Sequence, residues 1–202
     1  MSSKPFISLS PSDPRLILFA GHAGTGKSTL AKQALPLIVN KTGEDFFFLD
    51  KDTVYGAYSS HVMELTTKNP NDRDSPYYLA NLRDWEYSGL IDIARENLLL
   101  GVNVILVGPF SNEIKSGKMF SPQELGVPPE TSIRLAWIDL EEHEAKLRME
   151  QRGDPRDDWK LAHWDQYAQR RIEPPNHPAI FRFNNLKFNE EHFNKLINHL
   201  IE

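Results

Sequence analysis

Residues 21–28 read Gly-His-Ala-Gly-Thr-Gly-Lys-Ser. Glycine, four residues, then Gly-Lys-Ser is the spacing of a loop that cradles phosphates. Each residue type has a task. Glycines let successive backbone N–H groups turn inward toward phosphate oxygens. The helix that follows turns its partial positive end to the same anion. Lys27 can reach the β- and γ-phosphates, and the Ser28 hydroxyl can ligate magnesium. The expected nucleotide contacts are therefore Gly21, His22, Ala23, Gly24, Thr25, Gly26, Lys27, Ser28 and Thr29, with ATP and Mg2+ as cofactors. His22 holds a variable position of the loop and reads as solvent-facing.

A second group of polar residues closes the run Phe46-Phe47-Phe48-Leu49. Asp50 and Asp52 stand where parallel sheets bind ligands, past the C-terminal end of a strand. One can accept a proton from an acceptor hydroxyl, and either can hold magnesium. Asp139, at the end of another apolar run, is a fallback ligand, although a cap for the next helix suits it better. Arg148 and Arg152 are four apart and share a helix face. With Arg156 they suit a lid that closes on phosphates through paired hydrogen bonds. The competing reading is a solvated helix with ion pairs to Glu144, Glu150 or Asp157. Arg83, Glu86 and Tyr87 share a helix that can flank an acceptor. Trp159, Trp164 and Tyr167 read mainly as lid core. The histidines lack metal-ligand spacing.

These residues need elements to hold them. Four apolar runs, Arg15–Ala20, Phe46–Leu49, Val102–Val107 and Ile133–Ile138, read as buried parallel strands, with Ile180–Phe183 a weaker fifth. Continuous runs imply that helices cover both sheet faces. The helices expected are Lys27–Val39, Leu79–Leu100, Glu141–Arg152, Trp159–Arg171 and Glu190–Ile201, with Gly101 and Gly153 as stops. Strand and helix alternate, which predicts an α/β fold with a parallel sheet of about five strands. Gly56–Tyr78 and Ser111–Ser132 interrupt the alternation with turn signals and read as long excursions. Ser121-Pro122-Gln123-Glu124 is a capping box inside the second. Residues 1–14 read as a loose arm, tacked down by Phe6, Ile7 and Leu9, before one domain over 15–202.

The chain has 202 residues, a net charge of -5 and no cysteine. That excludes disulfides, thiolate zinc sites and cysteine nucleophiles. The charge argues against a constitutive nucleic-acid binder without excluding one. No signal peptide pattern opens the chain, and no run approaches the roughly 18 apolar residues of a membrane span. A cytoplasmic setting, with no membrane partner, is the expectation.

On Gly21–Ser28, Leu49-Asp50-Lys51-Asp52, Arg83–Tyr87, Val104–Phe110 and Arg148–Tyr167, the chain resembles small P-loop kinases. That group includes polynucleotide kinase, zeta toxins, gluconate kinase and chloramphenicol phosphotransferase. It looks closest to bacterial ATP-binding proteins labelled as AAA-type ATPases or predicted kinases. The resemblance implies a P-loop NTPase fold, an acceptor pocket beyond the second strand and an arginine-bearing lid. It implies Asp52 as the base, and Asn184 and Asn185 near the adenine. Relatives often place an arginine just after that aspartate to hold an anionic acceptor. Here Thr53, Val54 and Tyr55 follow instead. ATP-dependent phosphoryl transfer to a small-molecule hydroxyl is the leading expectation. Arg83, Tyr87 and Asp50 would meet the acceptor, and Ser28 and Asp52 the metal. A polynucleotide or nucleotide-sugar kinase, and a non-catalytic nucleotide switch or ATPase, are the alternatives. Asn40-Lys41-Thr42-Gly43 lacks the last aspartate of a guanine-reading motif, which counts against a GTPase.

Overall fold

The computed structural model describes residues 13–202, so the expected tacking by Phe6, Ile7 and Leu9 lies outside the described residues. Five strands form one sheet: β1 Arg15–Ala20, β2 Phe46–Asp50, β3 Asn103–Val107, β4 Ser132–Asp139 and β5 Ile180–Asn184. Their spatial order is β2-β3-β1-β4-β5. Every pairing is parallel. The helices are α1 Lys27–Thr42, α2 Lys51–Thr67, α3 Pro76–Tyr78, α4 Asp84–Leu99, α5 Ser111–Lys115, α6 Pro122–Leu125, α7 Glu142–Arg152, α8 Asp158–Ala162, α9 Trp164–Ala168 and α10 Glu190–Ile201. This is the α/β arrangement that the alternating apolar runs imply.

Side chains alternate along β1, and both sets are buried. Leu16, Leu18 and Ala20 pack with Leu90, Ile91 and Ala94 of α4. Ile17 and Phe19 pack with Leu30, Ala34 and Ile38 of α1 and with Leu196 and Ile197 of α10. A strand buried on both faces has no polar side to expose, hence its continuous apolar run. Chain order reverses beside β1, so the loop leaving β1 opens at the switch point where such sheets bind ligands.

Several expectations are corrected. The excursion from Gly56 is helical through Thr67, because α2 starts at once after β2. Its cap is Asp50, whose side chain accepts from the Asp52 N–H at 2.9 Å. The helix expected from Leu79 starts as α3 and a π-turn over Leu79–Arg83 before becoming α4. The single helix expected over Trp159–Arg171 is two short ones, α8 and α9, broken at His163. α1 runs through Pro36 to Thr42 and is closed by Gly43 at φ 70°. Gly101 and Gly153 do follow helix ends, at φ 78° and 60°. Ser121 caps α6, accepting from the Glu124 N–H at 3.2 Å.

One glycine sets the junction between β1 and the phosphate loop. Gly21 has φ +140°, and a Cβ there would lie 2.6 Å from the Ile138 carbonyl oxygen. Both the torsion and the contact exclude a side chain without movement of β4. Gly21→Ala is expected to lower stability by roughly 2–3 kcal/mol, the scale of forced backbone strain. Urea denaturation followed by circular dichroism measures it.

Candidate functional site

The phosphate loop is held from below by backbone contacts and from above by side chains. Gly24 has φ +77°, and a Cβ there would meet the Ala145 carbonyl oxygen at 2.5 Å. The Thr25 carbonyl accepts from Asn185 Nδ2 at 2.7 Å. Asn185 in turn receives Arg148, whose guanidinium donates to its backbone carbonyl at 2.7 Å. Within the loop, the His22 carbonyl accepts from Lys27 Nζ at 2.7 Å and from the Thr25 hydroxyl at 2.9 Å. Burial lowers the Lys27 pKa to about 8, although Asp52 and Asp50 pull it upward.

His22 is buried rather than solvent-facing. Its ring meets Trp137 edge-on, with centroids 5.3 Å apart. Nε2 lies 3.1 Å from the Ile172 carbonyl oxygen and 3.2 Å from its nitrogen. Burial holds the imidazole pKa down at about 4. The histidine thus ties the loop to the segment after α9.

The two aspartates diverge. Ser28 Oγ donates to Asp50 Oδ2 at 2.6 Å. Asp52 instead faces Lys51 Nζ at 3.2 Å and Arg156 at 3.7 Å. The carboxylate beside the loop serine is therefore Asp50, not the Asp52 expected there. Burial pushes the Asp52 carboxyl up, but Lys51, Arg156 and Lys27 outweigh it and hold it below the usual range. Asp139 is occupied elsewhere, paired with Arg182 at 2.7 Å and with the Trp137 indole at 2.9 Å. Among the described residues there is no group of three His, Cys, Asp or Glu placed to hold a metal.

Behind Lys51 lies a buried carboxylate. Glu86 is 2% exposed. It accepts from Lys51 Nζ at 2.9 Å, Arg73 at 3.2 Å, the Tyr78 hydroxyl at 2.6 Å and the Ser59 hydroxyl. Burial works against the Lys51 ammonium, yet Tyr87, Asp52, Tyr78 and Glu86 raise its pKa well above the usual value. Arg83 lies over the Tyr87 ring at 3.8 Å and is held by both oxygens of Glu113, at 2.6 and 2.9 Å. Tyr87 meets Phe110 edge-on. Phe110 itself sits at φ 48°, where β3 turns into α5.

The segment after α7 covers the opening. Arg152 pairs with Asp157, and Arg156 with Asp154 at 2.6 Å. Asp74 receives Lys160 at 2.8 Å, and its backbone carbonyl receives Arg170 at 2.9 Å. The Tyr167 hydroxyl accepts the Ala23 N–H at 2.9 Å.

A cavity of about 570 Å³ unites these groups. His22, Ala23, Gly24, Gly26, Lys27, Ser28 and Thr29 line it, together with Asp50, Asp52, Arg83 and Tyr87. Arg148, Arg152 and Arg156 close it. Gly21 and Thr25 sit behind the lining as support. Asn184 stays outside the lining, its side chain accepting from the Leu186 N–H at 2.9 Å. Arg73 and Asp74 join the lining from a segment that the sequence motifs do not mark, and Lys51 and Lys160 from marked segments in which neither was singled out. Only Lys51 had a signal, its place between the two aspartates.

A family model described as an AAA domain matches residues 16–175, well over half of the chain. The chain belongs to the AAA domain family. No curated relative matches it. Solved structures similar to this AAA domain protein are P-loop kinases and allied proteins. The APS kinase CysC of Mycobacterium tuberculosis, in complex with AMPPNP and APS, aligns with TM-score 0.61 at 16% identity, over 95% of this chain and 100% of that one. A gluconokinase from Sinorhizobium meliloti 1021 aligns with TM-score 0.57 at 13% identity, over 93% and 91%. Kti12 of Chaetomium thermophilum, in complex with ADP-AlF3, aligns with TM-score 0.61 at 15% identity, over 92% and 96%. At such identities the likeness is one of fold. No helix among the described residues is long and apolar enough to cross a membrane.

His22 supplies a pH test of the loop anchor. Its folded pKa of about 4 lies below the ordinary 6.5, so the unfolded chain binds more protons between those values. Stability is then lost as pH falls from about 6.5 toward 4, by ~3 kcal/mol at most for this group. His22→Phe, which cannot titrate, is expected to show a shallower fall in denaturation midpoint from pH 7 to pH 4.5 than the unaltered protein.

Proposed function

We propose that the protein is an ATP- and magnesium-dependent kinase that transfers the γ-phosphoryl group to a hydroxyl of a small molecule. The observation that carries the reading is the split of the two aspartates. Asp50 bonds Ser28 at the loop, whereas Asp52 faces Lys51 and Arg156 across the cavity. One carboxylate serves the donor and the other the acceptor.

Ser28 and Asp50 present a hydroxyl and a carboxylate oxygen side by side, a hard-oxygen pair that fits magnesium. Phosphate oxygens and water complete such a shell, so no cluster of three acids is needed. When bound, the ion neutralises charge on the β- and γ-phosphates. Lys27, whose ammonium has three donors and spends one on the His22 carbonyl, binds the same oxygens. Arg148, Arg152 and Arg156 approach from the cover and bind charge on the transferring group through their guanidinium forks. Asp52 orients the acceptor hydroxyl and takes its proton. Its depressed pKa makes it a weak base in the resting site. In a loose transition state the proton leaves late, after the new bond has begun to form, so a weak base suffices. Lys51 fixes the Asp52 carboxylate, and Glu86 fixes Lys51.

The acceptor would lie between Asp52 and the wall formed by Arg83 and Tyr87. The cations on this wall already have carboxylate partners: Glu86 for Lys51 and Arg73, and Glu113 for Arg83. That supports a polyhydroxylated acceptor over a strongly anionic one.

Asp52→Asn is expected to keep affinity for magnesium-ATP within a few-fold while cutting phosphoryl transfer roughly 100-fold, the scale of general-base loss. Asp50→Asn is expected to lower nucleotide affinity and rate together. Calorimetry with magnesium-ATP measures the first property. Transfer of labelled phosphate across a panel of hydroxyl metabolites measures the second. Full transfer by Asp52→Asn would remove Asp52 from the mechanism, and nucleotide affinity unchanged in Asp50→Asn would remove Asp50 from the metal site.

A further inference from the structure

We propose that Tyr167 is a γ-phosphate contact, whose hydroxyl lets the site tell a nucleoside triphosphate from a diphosphate. The inference rests on the reading of the loop as a phosphoryl-donor site, and gives a ligand role to a residue that the sequence marks mainly as lid core.

One peptide group, joining His22 to Ala23, holds both the lysine and the phenol. Its carbonyl oxygen accepts from Lys27 Nζ at 2.7 Å. Its N–H donates to the Tyr167 hydroxyl at 2.9 Å. The phenol and the ammonium are thus pinned to opposite edges of one peptide plane. A lysine at this place in a phosphate loop reaches the β- and γ-phosphates. In this proposal the phenol, bonded to the N–H of that same peptide, meets the triphosphate at the end the lysine serves.

A phenol oxygen accepts and its hydrogen donates. The accepting side is filled by Ala23. The hydrogen has no acceptor among the described residues, and Tyr167 lines the cavity. The N–H it receives polarises the O–H and strengthens what it can donate. Burial also raises the pKa of the phenol, despite the Ala23 bond, so the hydrogen stays in place.

The ring is held in position rather than free to swing. Tyr167 is 8% exposed. Trp164 lies against it with centroids 5.4 Å apart. The Trp164 indole donates to Glu142 at 2.9 Å at the start of α7. Three residues on, Arg170 donates to the Asp74 carbonyl at 2.9 Å. A donor fixed before the ligand arrives loses little entropy on use. A neutral donor to a charged oxygen is worth roughly a tenfold change in affinity.

The test is calorimetry on the whole chain with magnesium and either a non-hydrolysable ATP analogue or ADP, comparing the unaltered protein with Tyr167→Phe. Phenylalanine keeps the buried ring, and the melting midpoint reports whether the fold is intact. The expected result is a roughly tenfold weaker analogue with ADP affinity changed less than twofold. Equal weakening of both nucleotides means that the phenol only shapes the loop, and overturns the proposal. So does no weakening of either. If the unaltered protein binds neither nucleotide, or if Lys27→Ala binds both as well as it does, the donor-site reading itself fails. The Tyr167 proposal falls alone only when those controls hold.

Discussion

The site depends on how closely the backbone of residues 21–26 approaches its neighbours. Gly21 rests on the carbonyl of Ile138, Gly24 on that of Ala145, and Gly26 on the amide of Asn185. Three separate elements, the end of β4, the first turns of α7 and the loop after β5, thus touch one short loop. At Gly21 and Gly24 backbone oxygens leave no room for a methyl group, and at Gly26 a methyl group would displace the Asn185 amide from the Thr25 carbonyl. The loop has one shape because those elements leave it one. A backbone held in one shape before a ligand arrives has little ordering left to lose on binding. The order of strands serves this contact, because β1 lies between β3 and β4 and delivers the loop to the reversal point of the sheet.

A second constraint is the buried carboxylate of Glu86. An unpaired carboxylate at that depth would be strongly destabilising, and removing one partner of a buried pair typically costs about 3–5 kcal/mol. Here α2 supplies Lys51 and Ser59, the segment before α3 supplies Arg73, and α3 supplies Tyr78. Satisfying one acid locks three segments together at the acceptor end. Such a cluster is a poor source of net stability beside an apolar core of the same volume. It is a good source of fixed geometry, since its donors arrive from separate segments and Lys51 and Arg73 are held by second acceptors as well, Asp52 and the Gly56 carbonyl.

Much of this was legible in the residues. Apolar runs located all five strands, because a strand covered on both faces has no reason to alternate. The phosphate loop was legible because its glycines and its Lys27-Ser28 pair serve one purpose at one spacing. The likeness to P-loop kinases agrees with the AAA domain match and with the fold of the solved kinases. α2 was missed for a physical reason. Its buried positions are Lys51, Ser59 and Met63. A helix whose inner face is polar shows no apolar stripe, and Gly56 reads as a break. The burial of Asp74 and Lys160 was equally hidden, since 86 residues separate the partners and each alone resembles a surface charge. The interruption at His163 leaves no mark in composition. The separate duties of Asp50 and Asp52 could not be told from two letters flanking a lysine.

Asp74 has a consequence for how two ligands would be felt by one another. Its carboxylate belongs to the stretch before α3, whereas its partners Lys160 and Arg170 belong to the segment after α7. Burial raises its pKa against the pull of Lys160 and Arg170, a sign of how little water reaches it. Separating the two walls would leave the Asp74 carboxylate without Lys160 and Arg170, although Lys160 would keep Asp157. The two ion pairs therefore tie the walls to one another. A ligand that steadies either wall steadies the other, and thermodynamic reciprocity makes the effect equal in both directions. Occupancy of one half of the cavity is, in free-energy terms, information available to the other half.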